Sequence, residues 1–325
     1  MRLRSLRERA LIKAIRSGFS ARRGGLILGI GDDAAIIRCR RQPILLTTDL
    51  LIENVHFLPR LHPPELLGRK SLNVNLSDIA AMGGRPTYAL LGLALRKGLK
   101  KAWVEGFFAG LKAAAAEAGV ALIGGDISSA SKIGIYMTVV GEGRNFVTRS
   151  GARPGDLIFV SGYLGDAAAG LRLLRKGVRL EEDPGADRLL KAFLDPCPQM
   201  ALGLTLSRRR TATAMIDTSD GLSTDLSHLC EESRTGADIY LDELPLSPAL
   251  CVFEREPVRL ALHGGEDYQL LFTVNPKKAI QVDTLRRRFR VRMIGRMTRR
   301  KGIHLVDREG KKEPLEIKGF EHLAS

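Results

Sequence analysis

The sequence predicts an α/β (α+β) protein of two domains, residues 1–150 and 151–325, each a mixed sheet with flanking helices. Three observations lead there. Strand-like and helix-like segments alternate along the chain. Glycine and proline pairs punctuate them. With 325 residues, 44% of them hydrophobic, the chain can build one large or two medium cores.

Taken in order, Leu3, Leu6, Ala10, Leu11 and Ile15 fall at helical spacing among arginines, so the start reads as a basic amphipathic helix. It lacks the unbroken apolar segment of a secretory signal. Residues 44–48 read as a short strand. A helical pattern over 65–82 stops at Gly83-Gly84, a C-terminal cap signal. Residues 86–95 are strand-like. Trp103, Phe107, Leu111 and Ala115 lie four apart, which gives a helix with one buried stripe. Strands follow at 120–123 and 133–140. Pro154-Gly155 marks a turn that opens the second half, ahead of a strand at 157–161. The polar, proline-bearing stretch 177–198 reads as a surface excursion. A strand at 212–216, a helix at 222–232 and a strand at 268–274 complete the pattern.

Composition narrows the function. No run approaches the roughly 18 apolar residues that span a bilayer. The net charge of +15 raises nucleic-acid binding, but the basic residues sit in short runs such as 208–210 and 286–288. No aromatics are interleaved to stack bases, so a solvated basic surface is the reading, and no specific nucleic-acid partner is expected. Cys39, Cys197, Cys230 and Cys251 form no C-x-x-C pair and no metal-ligand spacing with histidine. They read as reduced thiols of a cytoplasmic protein.

Acidic residues recur where strand-like segments end. They are Asp32 and Asp33 in GIGDDAA, Asp49 in LLTTDL, Asp78 in NLSDIAAMGG, Asp126 in LIGGDIS, and Asp217 and Asp220 in MIDTSDGL. Any one could be a turn aspartate bonded to its own backbone. Five such segments point instead to one sheet edge, where α/β proteins bind ligands. Converging carboxylates repel unless cations bridge them. Oxygen ligands without histidine or cysteine select magnesium, manganese or calcium, and magnesium is commonly shared with phosphates. A Walker loop is absent. Gly29 to Ala34 fits the loose dinucleotide pattern, yet it carries two aspartates and runs into strand-like residues rather than a helix. The residues therefore describe a magnesium–polyphosphate site.

GIGDDAAII, TTDLLIENVHF, SLNVNLSDIAAMGGRPTYALLGLAL, LIGGDIS, TRSGARPGD, IDTSDGLSTDL and HGGEDYQLLFTV occur in the order seen in thiamine-monophosphate kinases. The chain resembles that family over residues 5–323. The resemblance implies the two-domain fold of the aminoimidazole-ribonucleotide-synthetase-like ATP-binding proteins, with N-terminal sheets pairing in a homodimer. It implies ATP and thiamine monophosphate as substrates, several Mg2+ ions, and direct in-line phosphoryl transfer to give thiamine diphosphate.

By motif, the resemblance makes Asp33, Thr47, Thr48, Asp49, Asp78, Asp126, Asp217 and Asp220 the magnesium ligands. The six aspartates Asp33, Asp49, Asp78, Asp126, Asp217 and Asp220 then carry catalysis by positioning metal and stabilising charge. Gly125, Asp126, Arg149 and Ser219 resemble the ATP contacts, and Phe108 stands where the family often has tyrosine. His56, Glu266 and Phe320 match the contacts to thiamine monophosphate. Read without the resemblance, His56 is a structural histidine, Glu266 begins a strand and Phe320 packs a helix. Competing readings are a sister enzyme, such as selenophosphate synthetase or the hydrogenase-maturation dehydratase, and a basic nucleic-acid-binding protein without catalysis. The sister enzymes need cysteines near a terminus, a placement that Cys39 and Cys251 do not fit.

Overall fold

A computed structural model describes residues 26–28, 32–39 and 42–319. The amphipathic segment at the start and Phe320 lie outside the described residues.

A six-stranded sheet organises the first half. Its strands are β1 (Leu26–Leu28), β2 (Ala35–Cys39), β3 (Gln42–Ile52), β4 (Arg85–Arg96), β5 (Ala121–Ala130) and β6 (Gly134–Glu142). They lie in the order β1-β2-β3-β6-β4-β5, and only β4 and β5 run parallel. That pair needs a crossover, which the helix at Lys101–Ala118 supplies. The other helix of this half, α1 (Pro64–Ala81), starts on paired prolines with Pro64 at N1. The Lys101–Ala118 helix is therefore α2. It ends on Gly119 in the left-handed region, as a helix C-terminus favours.

α1 and α2 touch at backbone distance. A Cβ on Gly110 would stand 1.8 Å from Glu65 O, and one on Gly68 2.0 Å from Phe107 O. Only glycine permits this approach, which sets α1 down on the sheet. The sheet's period-two alternation buries Ala89, Leu91 and Leu93 under the helices. Its other face leaves Tyr88, Leu90 and Tyr136 between 42% and 49% exposed.

The second half is a seven-stranded sheet of β7 (Leu157–Ser161), β8 (Ala212–Asp217), β9 (Gly236–Tyr240), β10 (Leu270–Val274), β11 (Val291–Thr298), β12 (Ile303–Val306) and β13 (Lys312–Pro314). The order is β13-β12-β9-β11-β7-β10-β8, with β9 and β12 parallel. Its helices include α3 (Asp166–Arg175), α4 (Pro184–Leu194), α5 (Met200–Arg208) and α6 (Leu222–Ser233).

The expected surface excursion at 177–198 is corrected by α4. Asp183 caps that helix by accepting from Ala186 N, and Ala186, Leu189, Leu190, Phe193 and Leu194 are buried. The helical spacing of those apolar residues was present behind the polar opening EEDPG.

Helix α1 is shared by both halves. Arg69 Nε donates to Asp195 at 2.8 Å, Asn73 Nδ2 donates to Pro196 O at 2.9 Å, and Ser77 Oγ donates to Asp217 Oδ2 at 2.6 Å. These residues lie three to four apart, so one face of α1 faces the second half.

Candidate active site at the junction of the two sheets

Three segments converge on the C-terminal half of α1. Strand β3 brings Thr47 and Asp49 on one face of its pleat. The loop before β2 brings Asp32 and Asp33, α1 brings Ser77 and Asp78, and the end of β8 brings Asp217. Carboxylate oxygens of Asp33, Asp78 and Asp217 lie within 4.8 Å of one another. Thr47 Oγ1 donates to Asp78 Oδ2. Asp33 Oδ2 is buried with no hydrogen-bond partner.

Crowding of this kind penalises charge. Burial, followed by the charges of Asp220 and Asp33, pushes Asp49 up to about 6. Burial and Asp33 push Asp217 up to about 8, against the donation from Ser77. Asp78 is raised well above its ordinary range by burial and by Asp49, Asp217 and Asp33. The donor set is all oxygen, one oxygen is orphaned, and among the described residues Arg149 is the cation paired with these acids. A hard divalent cation fits this site on each count.

Arg149 stands among the acids. Its guanidinium pairs with Asp33, and its backbone N–H donates to Asp32 Oδ2 at 3.0 Å. Asp32 is itself pushed up to about 7 by burial and by Asp33. Asp32 and Asp33 are thus tied to the segment that joins the two halves through one arginine.

A cavity of about 380 Å3 opens next to the acids, lined by Asp49, His56, Ser219, Asp220, Glu266 and Tyr268 among others. His56 Nδ1 accepts from Ile52 N–H at 3.0 Å, so the proton of the neutral ring sits on Nε2. Glu266 has φ 68°, in the left-handed region, and its N–H donates to Ser219 O at 2.7 Å. Asp267, its neighbour, accepts from Gly165 N at 2.6 Å and Ala167 N at 3.1 Å, which caps α3. The GGEDY motif therefore turns one carboxylate to the cavity and the next to a helix N-terminus.

Several expected site residues stand elsewhere. The pleat of β3 turns Thr48 to the opposite face, where its hydroxyl donates to Met137 O and meets Thr138 Oγ1, both at 3.0 Å. Gly125 and Asp126 lie on the exposed edge strand β5, and Asp126 is not one of the three converging carboxylates. At Gly125 φ is 157°, and a Cβ would come 1.9 Å from Leu91 O, so that position admits glycine alone. Phe108 is half-buried and packs edge-on against Phe107 in the first core, with ring centroids 5.5 Å apart. Phe320 lies outside the described residues. A larger cavity, about 660 Å3 between Tyr163 and Asp195, contains none of the expected residues.

Sequence reasoning passed over three residues at the site. Asp225, fully buried on α6, accepts from Asp220 N at 3.2 Å, and burial with Asp220 and Asp217 holds its carboxyl far above the usual range. Tyr268 was within the quoted GGEDY motif. Phe193 carried no signal, because its segment was read as loop.

Residues 31–143 match the family described as AIR synthase related protein, N-terminal domain, and residues 153–308 match the corresponding C-terminal domain. The thiamine-monophosphate kinase of Aquifex aeolicus (strain VF5) is 39% identical over 328 residues, spanning 99% of this chain and 100% of that protein. That of Escherichia coli (strain K12) is 40% identical over 307 residues, 92% of each. Among solved structures, AaThiL complexed with AMPPCP and TMP superposes with a TM-score of 0.89 at 38% identity over 99% of both chains. Escherichia coli HypE, a hydrogenase maturation protein, shares the fold at a TM-score of 0.71 and 24% identity, covering 84% of this chain and 85% of that one. The expected two-domain architecture is the one found.

Proposed function

The chain belongs to the thiamine-monophosphate kinases of the AIR synthase related family, and on that premise we propose that it transfers the γ-phosphoryl group of ATP to the phosphate of thiamine monophosphate, giving thiamine diphosphate and ADP. The observation that carries this reading is the convergence of Asp33, Asp78 and Asp217 within 4.8 Å, beside a cavity large enough for a heteroaromatic phosphate ester.

The acceptor phosphate already presents an anionic oxygen near neutral pH, so the site needs no strong general base. It needs to bring two polyanions together. Magnesium bound there supplies the positive charge that lets phosphate oxygens approach the acids. Asp33, Asp49, Asp78, Asp217 and Asp220, with Thr47, are the residues proposed to hold it. Thr48 and Asp126 are assigned by motif alone. Arg149, fixed by Asp32 and Asp33, directs a permanent cation into the same region and is proposed for the nucleotide phosphates, with Ser219, Gly125 and Phe108. The His56 ring and the Glu266 carboxylate both line the cavity and are proposed for the amino-substituted cationic ring of thiamine monophosphate. Phe320 is assigned to that ring by motif alone.

We further propose a cytoplasmic homodimer joined through the apolar face of the first sheet. Among the described residues no helix is long and apolar enough to cross a membrane.

The cysteine-dependent sister chemistries find little support in Cys230 and Cys197. Burial pushes Cys230 up to about 12 and raises Cys197, whereas a nucleophilic cysteine needs a lowered value. An assay offering ATP, Mg2+ and thiamine monophosphate, with ADP and thiamine diphosphate as readouts, tests the reading. ADP release that does not depend on thiamine monophosphate would remove it.

A further inference from the structure

Lys70 is the most completely enclosed cation among the described residues, with its side chain 0% exposed. It leaves the middle of α1 and ends between the two halves. Its Nζ stands 3.0 Å from Glu266 Oε1, donates to Phe193 O at 3.0 Å, and lies 3.9 Å from the centroid of the Phe193 ring. Glu266 is only a quarter exposed, and both Glu266 and Phe193 line the 380 Å3 cavity. The buried ammonium therefore sits directly behind two residues that face the site.

Stability alone gives weak grounds for such a group. Enclosing an ammonium costs several kcal/mol, and replacing a buried ion pair by apolar side chains is often neutral or stabilising. What the pair does provide is orientation. The Glu266 backbone is fixed in the left-handed region by its N–H bond to Ser219 O, and Lys70 fixes the carboxylate at the far end of the side chain. A carboxylate held at both ends, beside an aromatic wall, meets a cationic heteroaromatic ring without first having to be ordered.

We infer that Lys70 is a positioning residue for the acceptor substrate: its buried Nζ holds the Glu266 carboxylate, aimed, against the cavity that receives the substrate's cationic ring. The inference rests on the functional reading above and extends it to a residue that meets no substrate atom. The same face of α1 carries Ser77 two turns further on, where it donates to Asp217. One helix face thus sets the acceptor wall at Lys70 and the metal cluster at Ser77.

The test is a double-mutant cycle on steady-state kinetics of the purified full chain with ATP, Mg2+ and thiamine monophosphate. Lys70→Met is expected to raise the KM for thiamine monophosphate by about tenfold or more while the KM for ATP and kcat change by less than about threefold. Glu266→Gln is expected to raise the same KM. The double variant Lys70→Met/Glu266→Gln should be no worse than Glu266→Gln alone, because Lys70 acts only through that carboxylate. Where Lys70→Met does not fold, Lys70→Gln, which keeps a neutral donor but not the reach and charge of lysine, is expected to raise the KM for thiamine monophosphate by less than Glu266→Gln does and to leave that for ATP unchanged, and equal rises in both would overturn the inference. Additive losses, or equal rises in both Michaelis constants, would overturn the inference. A wild-type protein that leaves thiamine monophosphate untouched would instead bring down the functional reading, and this inference with it.

Discussion

Ser77 Oγ donates to Asp217 Oδ2 at 2.6 Å, joining residues 140 positions apart in sequence and both fully enclosed. Asp217 is the last residue of β8, and Ser77 directly precedes Asp78 on α1. This bond therefore fixes the spacing between two of the three carboxylates that converge. Ser77→Ala leaves Asp217 short of a donor in a dry environment. The cost is expected to be about 1–3 kcal/mol in urea unfolding, with a several-fold higher Mg2+ concentration for half-maximal activity. An unchanged Mg2+ requirement would separate the bond from the metal site.

Asp49→Asn and Asp220→Asn should act in opposite directions on stability and activity. Each removes one negative charge from a group in which burial and mutual repulsion already raise Asp49 to about 6. Without metal, either variant should melt at or above the wild-type temperature. Turnover should fall by about a hundredfold or more, since the lost ligand acts only when cations and phosphates are present. Wild-type activity in either purified variant would refute the metal assignment.

The raised carboxyls give the metal-free protein a pH dependence whose sign is fixed. Asp49 rises to about 6, and Asp217 and Asp267 rise to about 8, all above their unfolded value of 3.8. Between the unfolded and folded values the native state holds protons that the unfolded chain has released. Stability therefore falls as pH rises toward 8. His62 works the other way, because burial lowers it from 6.5 to about 3, but its contribution levels off within about one pH unit above 6.5. Melting in EDTA between pH 6.5 and 8.5 should thus show a falling midpoint. Added Mg2+ should raise that midpoint more at pH 8.5 than at 6.5, since no proton then competes for the oxygens. A flat EDTA profile would show that the acids do not crowd one another in solution.

The sequence made some of this site legible and hid the rest for physical reasons. Asp33, Asp49, Asp78 and Asp217 do converge as expected, but only Asp217 ends a strand: Asp33 precedes β2, Asp49 lies inside β3 and Asp78 on α1. Thr48 was assigned as a ligand beside Thr47, although the two-residue period of a strand sends adjacent side chains to opposite faces. That period was available in LLTTDL, and the motif overrode it. Lys70 could not be found this way. A lysine within a helix ordinarily reads as a solvated residue, and its burial arises only when Phe193 and Glu266 arrive from 123 and 196 positions away. The α4 helix that carries Phe193 was missed because its polar opening outweighed the apolar spacing behind it.

Gly110→Ala tests how α1 is held. The added methyl would stand 1.8 Å from Glu65 O, and the backbone cannot move aside without lifting the N-terminal end of α1. A loss of about 2 kcal/mol or more is expected in denaturant unfolding, well beyond the small gain alanine ordinarily brings to a helix. Gly98→Ala is a control in which a Cβ meets nothing within 4 Å, although its φ of 79° still carries some backbone strain. Comparable losses in both variants would mean that the close approach of α1 and α2 contributes nothing beyond backbone strain.

The proposed dimer depends on a surface that alternation along β4 exposes. Leu91 is buried under α1 and α2, while Leu90, the adjacent residue, is 42% exposed on the opposite face beside Tyr88 and Tyr136. Strand β5 extends that face with Ile127, 64% exposed, and among the described residues ends the sheet with an unpaired edge. An open apolar sheet of this kind invites self-association, and a second copy of the same sheet would cover it symmetrically. Leu90→Glu places a charge at its centre, on the face opposite Thr47 and Asp49 and without disturbing the core beneath. The wild type should sediment as a dimer and Leu90→Glu as a folded monomer at micromolar concentration. A monomeric wild type would remove the dimer, and a dimeric variant would move its interface to another surface.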